Sequence, residues 1–242
     1  MKEVILTPDH IDIADGIIEG AKKEGRKILM EHESKSILEA YGVSCSKTIL
    51  AKDNEEALRA AKEVGYPLVM KVASPDIVHK TDAGCVRLGI SSDVEVQQAF
   101  TDIIKNAKAF KADVDLRGVV VQEQAKKGTE VIVGLLKDKT FGPTLMFGLG
   151  GIFVEVLKDV SFRVVPLNQN DAESMIREIK GYRVLKGVRG APPSDEGAIV
   201  NILLSCSKLA HDFESKIDEM DVNPLLIYPD GAKAVDARIV LA

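Results

Sequence analysis

Residues 67–73 read PLVMKVA, apolar on both faces of any strand they form except for one lysine, Lys71, near the end. Side chains alternate across a strand, so Lys71 shares a face with Val69 and Ala73. A strand apolar on both faces is buried on both. An unpaired ammonium is costly in such a place, so Lys71 either reaches out at the strand end or meets a fixed anion. The strand runs into Ser74-Pro75-Asp76 and then His79-Lys80-Thr81-Asp82-Ala83-Gly84, a polar loop closed by a glycine. A second apolar strand follows over residues 86–90. A lysine at a strand end beside a histidine loop suggests phosphate chemistry.

The flanking sequence alternates between helical and strand periodicity. A short strand is expected over residues 4–6, then a helix turning Ile11, Ile13, Ile17 and Ile18 inward. Residues 31–41 read as a second helix, stopped by Gly42, and residues 46–51 as a strand. Asp53 and Glu56 form an N-terminal capping pair for a helix that ends at Gly65 and Pro67. Ser92 and Glu95 do the same for a helix striped with Val96, Phe100, Ile103 and Ile104. From Asp113 the texture changes to strands in quick succession, over residues 117–124, 129–136, 143–147 and 160–166, as in a mostly antiparallel sheet. Helices follow over residues 171–179 and 194–213, the second carrying Ile199, Ile202, Cys206, Leu209 and Phe213 at helical spacing. The chain closes in a hairpin about Asp230-Gly231. The fold class is α+β, with two α/β lobes sharing a cleft, a smaller one of about residues 25–118 and a larger one of about 1–24 plus 119–242.

Composition removes several functions. The net charge of −5 leaves no basic footprint for nucleic acid, and 5% aromatic residues with no Trp leave no stacking platform. Cys45, Cys85 and Cys206 are too few and too scattered for a metal site or a disulfide framework, which fits a reducing cytoplasm. No apolar run approaches a membrane span, and the acidic N-terminal stretch is no signal peptide.

Four groups of residues suit chemistry. The run Phe147-Gly148-Leu149-Gly150-Gly151 lacks the third glycine of a dinucleotide fingerprint, and a strand over residues 152–156 is expected where a helix would be needed. It is either a glycine turn or a backbone-lined phosphate loop. Gln122-Glu123-Gln124 ends a buried strand in polar residues. That end is either a solvated turn or a place where backbone groups meet an adenine edge, with Glu130 beyond for a ribose. In the closing hairpin, a turn at Asp230-Gly231 sets Asn223 opposite Arg238 and Asp236 opposite Leu225. Asn223 and Asp236 then lie diagonally on one face, about 7–8 Å apart, with Asp221 alongside. One or two such oxygens plus nucleotide phosphates are what Mg²⁺ commonly takes; an ion pair of Arg238 with Asp221 or Asp236 is the rival use. His79 is either a solvated loop residue or, as an imidazole mostly neutral near pH 7, a phosphoryl acceptor flanked by Lys80 and Asp82.

Taken in order, SPDIVHKTDAG, VVVQEQAKKGTEVIVG, FGLGGIFVEV and EMDVNPLLI with VDARI downstream resemble, over nearly the whole chain, the ATP-grasp β subunits of ADP-forming acyl-CoA (acetyl-CoA) synthetases, relatives of succinyl-CoA synthetase. The resemblance implies an ATP-grasp fold and the reversible conversion of acyl-CoA, ADP and phosphate into a carboxylic acid, CoA and ATP. It implies a partner α subunit that binds CoA and carries a phosphorylated histidine on a mobile loop, in an α2β2 heterotetramer. By the same resemblance Lys71, Gly150 and Gly151 hold nucleotide phosphates, Asn223 and Asp236 bind Mg²⁺, and Asp221 supports the visiting phosphohistidine. Glu123 and Gln124 contact adenine, Glu130 contacts the ribose, and His79 matches the second histidine that relays the phosphoryl group in archaeal-type enzymes. Cys85 departs from the pattern, which has a second glycine after Gly84. Two other functions fit the residues: an ATP-grasp ligase joining a carboxylate to an amine, which gives His79 no role, and a non-catalytic ATP-sensing subunit.

Overall fold

The computed structural model describes residues 6–77, 79–151, 158–188 and 190–242. The strand expected over residues 152–156 and most of that over residues 4–6 lie outside them. The chain divides into two compact units, residues 46–126 and residues 1–45 with 127–242.

The 46–126 unit is a four-stranded sheet with two helices. Its strands are β1 (Thr48–Ala51), β2 (Leu68–Ala73), β3 (Val86–Ile90) and β4 (Gly118–Glu123), in the order β1-β4-β2-β3 and all antiparallel. β2 is central, and its six residues are buried, as a strand apolar on both faces must be. Its Leu68, Met70 and Val72 share a core with α3 (Asn54–Val64) and α4 (Asp93–Phe110). Both helices start at the expected caps. Asp53 accepts the N–H of Glu56 at 2.8 Å, and Ser92 accepts that of Glu95 at 3.3 Å.

The other unit is built on β5 (Thr129–Asp138), β6 (Gly142–Leu149), β7 (Val160–Val164), β8 (Ile217–Tyr228), β9 (Gly231–Ala234) and β10 (Ala237–Leu241). The sheet path is β10-β8-β5-β6-β7, antiparallel throughout, with β9 also paired to β8. The inward rows of β5 and β8, among them Val131, Val133, Met220 and Val222, share one core with helices α1 (His10–Lys23), α2 (Glu31–Ala40), α5 (Gln169–Glu178) and α7 (Glu196–Asp212). A short helix α6 (Tyr182–Leu185) adds Leu185 to that core. Among the described residues no helix is long and apolar enough to cross a membrane.

Three expectations need correction. The smaller unit starts at Ser46 and ends at Lys126, not near residues 25 and 118. Ile37, Leu38 and Tyr41 on and after α2 are buried with Ala14 and Ile18 in the larger core, and β4 is paired on both sides within the smaller sheet. In α1 the buried row is Ala14, Ile18 and Ala21, while Ile11 and Ile13 are exposed. A 3.6-residue repeat puts positions four and seven apart on one stripe, and small alanines let the helix approach closely. The closing hairpin turns at Pro229-Asp230, because Tyr228 pairs with Gly231. Proline is preset for the second position of a turn, and Gly231 takes the fourth with φ 147°.

Assigning α2 to the larger unit has a measurable consequence. Leu38→Ala, which empties a fully buried site, is expected to cost about 2–5 kcal/mol. Amide exchange should quicken in β5 and β8 and stay unchanged in β2 and β4.

Candidate functional site

The larger sheet has helices on one face. The other face carries the alternate residues of each strand, and β8 and β10 concentrate its polar groups. Val131 pairs with Leu225 and Val133 with Val222, so Asn223 and Pro224 together stand against Ile132 alone. That is a β-bulge, a device that re-aims a side chain beside sites, and Pro224 has no N–H to lose from the ladder. On the other side of β8, Arg238 pairs with Asp221 and Ala237 with Val222. One step further, the N–H of Asn223 donates to the carbonyl of Asp236 at 3.2 Å. Asn223 and Asp236 are therefore directly opposed rather than diagonal. The turn expected at Asp230-Gly231 had shifted the register by two, an even number that keeps every residue on its face. Asp221, Asn223, Asp236 and Arg238 come together on this open face.

Charge in this group is unbalanced. Burial pushes the carboxyl of Asp221 up; Arg238 pulls it down, and the neighbouring Asp236 pushes it up again. Arg238 itself lies 3.4 Å from Glu219. One oxygen of Asp236 accepts the N–H of Ala237 at 2.8 Å, which fixes the carboxylate's orientation. Among the described residues no three His, Cys, Asp or Glu side chains are grouped to hold a metal ion by themselves. Two carboxylates and an amide suit instead a hard cation that takes its remaining oxygens from phosphate.

Glu130 joins the glycine run. The N–H of Gly150 donates to the Glu130 carbonyl at 2.8 Å, and a Cβ on Gly150 would stand 3.0 Å from Glu130 Cβ. Gly151 turns with φ 60°, a conformation open to glycine. The backbone of Gly150-Gly151 and the exposed Glu130 carboxylate thus lie side by side.

In the 46–126 unit, Lys71 sits between Val86 of β3 and Val120 of β4. At 8% exposure its side chain does not reach out into solvent. His79 is exposed in the loop between β2 and β3. That loop is closed by backbone bonds from Ala83 to His79, Gly84 to Thr81 and Cys85 to Lys80, and by Asn106 donating to the Gly84 carbonyl at 2.7 Å. Only Gly84 in this turn needs a positive φ, 64°. Cys85 is fully buried, outside the left-handed region, and packed in the helix-side core, so the cysteine at that position does not strain the loop. Burial pushes its thiol pKa up, which makes it inert packing.

Glu123 and Gln124 are tied down locally. Glu123 exchanges backbone and side-chain bonds with Lys47, and Gln124 accepts the N–H of Gly89 at 2.8 Å. The N–H groups of both residues are already used, Gln124's by the Pro67 carbonyl. The proline inside a strand pattern is the sequence signal that the ladder could be disturbed here, and the structure resolves that disturbance as the bulge at Asn223-Pro224.

A family model for the ATP-grasp domain matches residues 20–241. The chain is 48% identical over 233 residues to the β subunit of ADP-forming acetate–CoA ligase I of Pyrococcus furiosus, covering 96% of this chain and all of the relative. Among solved structures it is similar to the acetyl-coenzyme A synthetase 1 of Ca. Korarchaeum cryptofilum in complex with coenzyme A and Ca-AMPCP. That match has a TM-score of 0.92 and 47% identity, over 95% of this chain and 100% of the other. The same synthetase with coenzyme A and Mg-AMPPCP, its phosphohistidine segment pointing towards the nucleotide binding site, matches with a TM-score of 0.84 and 45% identity over the same shares.

The setting of Asp221 yields a pH signature. Its raised pKa means that the folded chain holds this proton to higher pH than the unfolded chain, so ionisation costs stability as pH rises through the folded value. In the presence of a chelator, Asp221→Asn is expected to raise the urea midpoint at about pH 7, and the gain should shrink towards about pH 4. Urea titrations across that range check it.

Proposed function

This chain belongs to the ATP-grasp family of ADP-forming acyl-CoA ligase β subunits, and we propose from that premise how its residues divide the work. The reaction is acyl-CoA + ADP + phosphate ⇌ carboxylic acid + CoA + ATP, completed with a CoA-binding α subunit, as α2β2. The observation that carries this reading is the facing of Asn223 and Asp236, with Asp221 beside them, on the open face of the larger sheet.

Asn223 and Asp236 hold Mg²⁺, which when bound supplies positive charge to the nucleotide phosphates. Lys71, already desolvated in its sheet, offers a fixed ammonium to nucleotide phosphates. The amides of Gly150 and Gly151 cradle phosphate oxygens, and Glu130 beside them binds the ribose. Glu123 and Gln124 bound the adenine. Phosphoryl transfer needs positioning and charge neutralisation more than covalent help, and this set provides both.

His79 is the relay. A ring nitrogen of His79 attacks the phosphorus of the partner's phosphohistidine, forming one N–P bond as the other breaks, and the partner's imidazole, which keeps the N–H of its other ring nitrogen, leaves neutral. The β-phosphate oxygen of ADP then attacks, and the His79 N–P bond breaks as the O–P bond of ATP forms. Asp221 orients the arriving imidazole through its N–H. The exposure of His79, on a loop whose far end is pinned by Asn106 and Cys85, suits a group that must receive and release a phosphoryl.

His79→Ala in the complex with the α subunit is expected to lower turnover by more than about 100-fold, the scale on which misplaced reacting groups lose rate. Acid-labile ³²P on this chain should vanish with it. Unchanged turnover would remove the relay and leave the metal and nucleotide assignments standing.

A further inference from the structure

The loop that carries His79 ends in a defined turn. The N–H of Ala83 donates to the His79 carbonyl at 3.3 Å, that of Cys85 to the Lys80 carbonyl at 2.8 Å and that of Gly84 to the Thr81 carbonyl at 2.9 Å. The last two are the crossed bonds that close a helical turn, with Gly84 at φ 64° in the left-handed position where such a closure favours glycine. Beyond the turn the Cys85 carbonyl accepts the N–H of Val72, next to Lys71, at 3.0 Å. Before it Ile77, two residues ahead of His79, is buried in the core of the 46–126 unit.

One acceptor in this turn receives more than the turn requires. Water can satisfy a carbonyl at the end of a surface turn. The Gly84 carbonyl instead takes two side-chain donors, Asn106 Nδ2 of α4 at 2.7 Å and Arg87 Nη1 of β3 at 3.0 Å. Arg87 shares the same nitrogen with the Val86 carbonyl, so Asn106 makes the stronger claim. Asn106 is 22 residues from Gly84 along the chain and stands on α4 between Ile103 and Ala107, both fully buried. Its amide is therefore mounted on the core. A Cβ on Gly84 would come within 3.2 Å of Asn106 Nδ2, so the amide packs against the turn as well as bonding to it.

We propose that Asn106 is a positioning residue for the phosphoryl relay: its amide, with Arg87 in support, fixes the turn so that the His79 ring meets the arriving phosphorus in line. This rests on the reading of His79 as the relay. In-line displacement at phosphorus depends on placement more than on covalent help, and an error of about 1 Å costs about 100-fold in rate. The His79 side chain is exposed, so its placement is inherited from its backbone. A shift at Gly84 passes through the Ala83 N–H to the His79 carbonyl, and only two side-chain torsions separate that backbone from the ring. The same bond holds the turn against β2, the strand that carries Lys71.

The test follows ³²P from the phosphorylated α subunit onto this chain in a single turnover of the complex, in Asn106→Ala and Asn106→Asp. The aspartate keeps the shape of the amide and replaces its donor with an oxygen that repels the Gly84 carbonyl. In both variants label is expected to reach His79 at least about tenfold more slowly, with the KM for Mg·ADP and the assembly of the complex unchanged. Thr101→Ala, at an exposed position of α4, is the control and should label at the wild-type rate. A residue that only stabilised the fold would lower the melting temperature and leave the rate per folded molecule at the wild-type value, and that result overturns the proposal. So does a wild-type rate in Asn106→Asp. Absence of label from the wild-type chain overturns the relay itself, a failure distinct from that of Asn106.

Discussion

The pairing of β8 between β5 and β10 is the constraint on which the candidate site depends. On the β10 side the ladder is regular enough to set Arg238 against Asp221 and Asp236 against Asn223. On the β5 side it gives way by one residue at Asn223-Pro224. A slip of β8 by one residue would send Asp221 and Asn223 into the helix-side core and bring Met220 and Val222 to the open face. The buried row of Met220, Val222, Leu225 and Ile227 forbids that, because its apolar surface has nowhere else to go. The hydrophobic core therefore fixes the place of the polar group on the other side of the sheet.

The same division of labour holds in the 46–126 unit. Leu68, Met70 and Val72 face the helices and hold β2 at the centre of its sheet, so Lys71 on the opposite row has no freedom of position. A lysine held this way loses little further entropy on meeting a phosphate, and its charge is weakly screened. The His79 loop combines two requirements. Its C-terminal end is anchored through buried Cys85 and the Asn106 bond to Gly84, while His79 itself stays in solvent.

The open face of the larger sheet carries two unfavourable features. Asp221 is half-buried beside another carboxylate, and four large apolar side chains stand in water on the same face. Neither feature helps this chain fold.

Periodicity and caps were enough to find most elements. The Asp53 and Ser92 caps, the α7 stripe and the buried β2 are local signals, and local signals survive without coordinates. The family motifs likewise belonged to short stretches of residues. What local pattern left open was anything decided by a distant partner. The helix α2 looks the same whichever core receives it, and the unit boundary lies at Ser46 because Leu38 joins Ile18 in the larger core. The turn at Pro229-Asp230 and the bulge at Asn223-Pro224 together decide that Asn223 meets Asp236 head-on. The sequence by itself determined the residue types and the faces they occupy, because alternation along a strand is a property of one segment. Only the tertiary structure decided which of those residues stand opposite one another, because register is set by the burial of apolar rows contributed from far along the chain.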